Sequence, residues 1–197
     1  MPGFVRHRRN AGGSENCDPC PAPDFAEPIR AWRAWYIVLH ERTLRLRSLF
    51  FPVVWEPGRH VEAACLHRSL LRPWRRRSHP SPHKPCDCGI YATTTLSGAA
   101  DYLRFMGPAA PKTIQYAVGR VALWGVVIEC ERGWRGMYAY PARLYVPTRS
   151  PARRPPLSPR EVAEGLTGYG VPVTLTDASD GSELVDAIEL GQLVAEE

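Results

Sequence analysis

The stretch "YAVGRVALWGVVIECERGWRGMYAYPARLYV", residues 116 to 146, decides the fold class. Its first half is apolar at almost every position, and in an extended chain successive side chains point to opposite faces. Ala122, Trp124, Val126, Ile128 and Cys130 then share one face, and Val121, Leu123, Val127, Glu129 and Glu131 the other. A strand that is apolar on both faces belongs in the middle of a sheet. "RGWRG" (132–136) supplies a turn, and "MYAYPARLYV" (137–146) returns as the antiparallel partner.

Working outward towards the N-terminus, "SGAADYLRFMG" (97–107) reads as a helix with Ser97 as N-cap and Gly107 past its end, and "GIYAT" (89–93) as a strand. Residues 67–87 form a loop of Arg, His, Ser and Pro, and "HVEAACL" (60–66) fits no single period. "PVVWEPG" (52–58) is a strand end and turn. "RAWRAWYIVLHERTLRLRS" (30–48) mixes aromatic and β-branched residues with an alternation of Leu44 and Leu46 against Arg45 and Arg47, which favours strands. Residues 1–28 are rich in Gly, Pro, Asn and Ser and read as a disordered leader.

Towards the C-terminus, residues 147–158 form a Pro- and Arg-rich linker. Ser158, Pro159 and Glu161 make a capping box that predicts a helix through about Thr167. "VPVTLT" (171–176) is a short strand, and "DGSELVDAIEL" (180–190) an acidic helix with Leu184, Val185 and Ile188 inward. This order predicts an α+β protein. Residues 29–146 build a small curved antiparallel sheet or partly open β-barrel with edge helices, and residues 159–197 an acidic helix-strand-helix appendage.

Charge divides the chain. All 25 Lys and Arg lie at or before Arg160, and the nine acids after it have no base among them. A basic body suits nucleic acid, and an acidic end suits a protein partner docking through residues 159–197. The longest apolar run, Val121 to Ile128, is far below the roughly 18 residues of a membrane span. No membrane attachment is expected, and without an apolar stretch near the start no signal peptide either, so a cytoplasmic location follows.

Several constellations carry candidate chemistry. "HPSPHKPCDCG" (79–89) and "AACLH" (63–67) offer Cys65, His79, His83, Cys86 and Cys88 as metal ligands, with zinc the cofactor their type suggests, and Cys17 and Cys20 form a further Cys-x-x-Cys pair. Cys65, Cys86 and Cys130 also suit small buried core positions. Between His67 and Lys84 lie five arginines and no acid, with Trp74 inside the cluster. Arg72, Arg75, Arg76 and Arg77 can fork onto phosphates while Trp74 stacks on a base. Trp55, Tyr91, Trp134 and Arg135, with Trp124, Tyr138 and Tyr140 nearby in sequence, can wall a pocket for a planar ring. The leading expectation is therefore a non-enzymatic module that binds nucleic acid or a nucleotide-like ligand. A protein-interaction module acting through the acidic end is one alternative. A small enzyme using Glu129 and Glu131, or a thiol at Cys86 or Cys88 beside His83 and Lys84, is the other.

Cys86 to Ala92 ("CDCGIYA"), Leu123 to Gly125 ("LWG") and Ala139 to Pro141 ("AYP") together resemble a group of small, functionally uncharacterised bacterial proteins, over roughly residues 30–146. The element order, a short helix before a Gly-x-Val strand in a curled sheet, is remotely similar to PUA-like barrels. That resemblance implies a pocket for a base at the sheet mouth, formed by Trp55, Tyr91 and Trp134.

Overall fold

The computed structural model describes residues 27–65, 68–69, 72–76, 79–105, 113–149, 156–178 and 181–195. β1 (Ile29–His40) reverses through Glu41 and Arg42 into β2 (Thr43–Ser48). Both turn residues have positive φ, the geometry whose twist matches that of the flanking strands. β3 (Val54–Trp55), β4 (Val61–Glu62), β5 (Arg68–Ser69), β6 (Arg72–Arg76) and β7 (Ile90–Thr93) are short. α1 (Leu96–Phe105) follows, then β8 (Thr113–Cys130) and β9 (Gly133–Pro147), and α2 (Pro159–Gly165), β10 (Val173–Thr176) and α3 (Gly181–Ala195) complete the described elements.

The expected α+β class holds, and the long hairpin is its spine. β8 pairs with β9 from Val118↔Tyr145 to Cys130↔Gly133, and with β1 on its other edge. The turn is tighter than "RGWRG" suggests: Glu131 and Arg132 make it, and Gly133 already opens β9. Because β8 occupies one edge of β9, the strands β7, β4 and β10 share the other, at Gly133–Gly136, Tyr138–Ala139 and Leu144–Pro147. β7 also pairs with β1, through Trp32↔Thr93, so hydrogen bonding runs in a ring through β1, β8, β9 and β7. One pairing departs from the antiparallel expectation, since β10 runs parallel to β9.

β1 is buried on both sides. Ala31, Trp35 and Ile37 enter a core inside the ring with Leu46, Trp55, Val121, Leu123, Leu144 and Val146. Trp32, Ala34, Tyr36 and Val38 enter a second core outside it, under Leu96 and Ala99 of α1 and Leu184 and Ile188 of α3. The segment expected as an appendage is thus part of the same body: Val162, Leu166 and Tyr169 complete the inner core and β10 extends the sheet. Tyr169 is tied in twice, its hydroxyl donating to the Trp55 carbonyl and accepting from the Leu46 N–H at 2.8 Å. Burial pushes its phenol up to about 12.

Helix starts follow local chemistry. The capping box at α2 forms as expected, with Ser158 and Glu161 exchanging hydrogen bonds. α1 is capped by Thr95, whose hydroxyl accepts from the Gly98 N–H at 3.1 Å, two residues before the expected Ser97. The leader through residue 26, the pair Cys17 and Cys20, Gly107, residues 150–155 of the linker and the last two residues lie outside the described residues. Among the described residues, no helix is long and apolar enough to cross a membrane.

Candidate metal centre

The sheet itself brings the candidate ligands together. β4 and β7 sit side by side on one edge of β9, so the chain that leaves after β4 and re-enters at β7 must start and finish at neighbouring points. The β4 ladder continues to Ala63, whose N–H donates to the Met137 carbonyl at 2.7 Å, and two residues on lies Cys65. At the returning end, Cys86 N–H donates to the His83 carbonyl at 3.0 Å, closing a turn ahead of Cys88 and β7. Gly89 follows with φ +131°, where a Cβ would stand 2.9 Å from the Arg135 Cβ and 3.1 Å from the Pro82 Cβ. A glycine is required there by both conformation and space.

One ligand atom from each of Cys65, His79, Cys86 and Cys88 then lies within 4.8 Å of every other, and these four can hold a metal ion. The Cys65 and Cys86 sulfurs are 3.8 Å apart, and Cys88 Sγ is 4.0 Å from His79 Nδ1. An ion bonded tetrahedrally to sulfur at about 2.3 Å needs sulfurs about 3.8 Å apart, so the spacing suits the geometry. Cys86 and Cys88 are buried and Cys65 half-buried. His79 Nδ1 lies 3.0 Å from the Pro80 carbonyl, an acceptor only, so Nδ1 carries the proton. Nε2 is left with its lone pair, buried and without a hydrogen-bond partner among the described residues. In that tautomer Nε2, and not the Nδ1 that stands 4.0 Å from Cys88, is the nitrogen free to meet a metal.

The thiols are not equivalent. Burial pushes Cys86 up, and the neighbouring Cys65 and Cys88 thiols add to this against a stabilising backbone contact. Burial acts on Cys88 in the same sense, but Ser81, the His83 backbone and the adjacent thiols favour its thiolate and draw it below the ordinary thiol range. Arg135 stands behind the site: its guanidinium, buried under the loop, donates to the Cys86 carbonyl and, at 3.2 Å, to the Cys88 carbonyl. It places a positive charge next to the thiol cluster and holds the turn to β9.

His83, the fifth expected ligand, is outside the cluster. It is exposed, and its ring stacks on that of His79 with centroids 4.5 Å apart. The loop expected over residues 67–87 contains a hairpin, with Arg68 paired to Arg76 and Ser69 to Arg72. Arg72, Trp74, Arg75 and Arg76 lie on β6, and Arg77 lies outside the described residues. Cys65 and His79 bracket this hairpin, so the cluster closes its base.

The aromatic pocket expected from Trp55, Tyr91 and Trp134 does not assemble. Trp55 is buried against Trp35, its indole N–H donates to Ser48 at 2.9 Å, and the Arg33 guanidinium covers its face at 5.3 Å. Arg33 spans the gap where β2 and β7 part from β1, donating to Ser48 Oγ and the Tyr91 carbonyl, and burial lowers it to about 10. Trp134 packs on the inner core, and Tyr91 is exposed, with its hydroxyl donating to the Asp87 carbonyl at 2.7 Å. Arg135 is engaged with the Cys86 and Cys88 carbonyls. Glu129 lies on β8, one residue before its end, while Glu131 lies in the turn. Arg120 stacks 4.0 Å over Trp32 and stands opposite Arg143.

Sequence reasoning missed two groupings. Arg135 as a strut on the Cys-x-Cys carbonyls has no local signature. Trp124 and Tyr138 join a third ring, His60, on the outside of the sheet, with centroid separations of 5.7, 5.0 and 6.0 Å around the group. No family model, no curated protein and no solved structure matches the chain.

Proposed function

We propose that Cys65, His79, Cys86 and Cys88 hold one structural zinc ion, and that the loop it closes presents the basic β5–β6 hairpin to the phosphates of nucleic acid. Three thiolates and one imidazole are a donor set that zinc prefers, and four protein ligands leave no open position for a reacting water. The reading is therefore a binding module and not a hydrolase. The observation that carries it is the position of two ligands: Cys65 and His79 flank the arginine-rich segment and converge on the same point.

A two-stranded hairpin is marginal in water by itself. Closing its base with a metal removes most of the loop's freedom, so that ordering has been met before a ligand arrives. The hairpin carries Arg68, Arg72, Arg75 and Arg76, Arg77 follows it, and no acid occurs from Ala63 through Cys86. In this reading Arg72, Arg75, Arg76 and Arg77 meet phosphates, and Trp74 stacks on a base.

The test is binding of a labelled oligonucleotide across a salt series. Each phosphate contact contributes about 0.7 to 0.9 to the slope of log K against log salt. Changing Arg72, Arg75, Arg76 and Arg77 together to serine is expected to weaken binding at low salt and to flatten that slope by about 3. Absence of binding by the zinc-loaded protein at low salt, or an unchanged slope in the variant, contradicts the reading.

A further inference from the structure

We infer that His60, Trp124 and Tyr138 form a stacking platform for unpaired bases, so that the nucleic acid held by the hairpin is single-stranded; this rests on the nucleic-acid reading above. Leu123 and Ala139 pair across β8 and β9 and both belong to the inner core. Their neighbours Trp124 and Tyr138, also paired, consequently face outward, and neither belongs to either core. His60 is exposed at the start of β4 and closes the group edge-on to both rings.

The backbone makes room for the rings. β8 bulges between Trp124 and Val127, with Gly125 at φ +72°, and a Cβ on that glycine would stand 2.9 Å from the Tyr138 ring. The Tyr138 ring thus lies against bare backbone. Such bulges re-aim side chains next to functional sites. Val126, on the same bulge, is 53% exposed.

Position connects the platform to the hairpin. Tyr91, Arg135 and Ile128 are cross-strand partners, and Tyr91 alternates with the core residues Ile90 and Ala92, so Arg135 faces outward too. Tyr138 is three residues along β9 from Arg135, about 10 Å. The same β4 that seats His60 runs directly to Cys65. The platform and the base of the hairpin are therefore joined by the short run of chain from His60 to Cys65. Glu62, opposite Tyr138, adds an acceptor suited to an exocyclic amine and no cation, leaving phosphate contacts to the hairpin.

A duplex hides the faces of its bases in its own stack, whereas a single strand offers each of them to a ring. The platform should therefore discriminate between the two forms. The experiment uses zinc-loaded full-length protein at low salt, with dye-labelled oligo-dT of about 12 nucleotides and a duplex of the same length. The single strand is expected to bind at least about tenfold more tightly than the duplex. Trp124→Leu with Tyr138→Leu should remove about tenfold or more of single-strand affinity while leaving duplex affinity and the salt slope unchanged. Trp124→Phe with Tyr138→Phe should retain most of the affinity, which separates loss of the rings from loss of folding. Equal affinity for both forms, or single-strand binding untouched in the leucine pair, overturns the platform while the hairpin reading stands. Failure of both probes to bind overturns both readings.

Discussion

Replacing Cys86 and Cys88 together by serine is expected to strip the metal and free the hairpin while the ring of strands stays folded. Neither thiol belongs to the inner or the outer core, so the change acts on the excursion between β4 and β7 and not on the sheet. Structural zinc contributes on the order of 10 kcal/mol in small domains that have no other core. Here a preformed sheet carries the loop, so the loss is confined to the segment the metal closes. Amide exchange over residues 68–76 should rise towards unfolded rates, with β8 and β9 unchanged. Oligonucleotide affinity should fall about 10- to 100-fold, because an unanchored hairpin must be ordered at each binding event. His83→Ala should leave metal and hairpin in place, since His83 stacks on the cluster without joining it. Protection of residues 68–76 surviving in the double-serine variant would mean that something other than the thiols holds them.

Gly119→Ala is expected to be among the most damaging single methyl additions to the sheet. Gly119 lies on β8 between Arg33 of β1 and Leu144 of β9, and a Cβ there would stand 2.0 Å from the Arg143 carbonyl oxygen. That atom is backbone, fixed by the pairing on both sides of a register shift at Arg120. Relief requires the two longest strands to move apart, in contrast to a clash with the tip of a flexible side chain. Overpacking of this kind costs about 3 kcal/mol or more. For a chain of this size that lowers Tm by about 6–12 °C. A melting temperature equal to that of the parent protein would show that β8 and β9 do not approach as described.

What could be read in advance follows from how local each cause is. The β8–β9 hairpin was evident because a long apolar alternation is a property of consecutive residues, and so was the start of α2, whose capping box needs only Ser158 and Glu161. Short strands were harder. β4 is two residues long and exists because β9 has a free edge at Tyr138 and Ala139, a fact fixed elsewhere in the chain. Alternation along β8 survives the bulge at Gly125, with Trp124 and Val126 both outward, but the pairing with β9 shifts register there, which no local pattern announces. The cysteine and histidine types pointed to four of the cluster's members. Which histidine of "HPSPH" turns inward was undecidable from spacing, because both stand near the same cysteines. The partnership of Arg135 with two carbonyls on the Cys-x-Cys turn arises from β7 pairing with β9, and His60 joins Trp124 and Tyr138 only through β4.

The central claim is that four side chains converge on one metal ion at the base of the basic hairpin. Cobalt titration of metal-free protein tests it most directly, because thiolate-to-cobalt charge transfer counts sulfur ligands and the visible bands report tetrahedral geometry. One equivalent should saturate the signal with the intensity of three thiolates, and one equivalent of zinc should displace it. His79→Ala should alter the tetrahedral bands, and His83→Ala should leave them unchanged. An octahedral spectrum without charge transfer, or a signal lost with His83 and not with His79, would contradict the account.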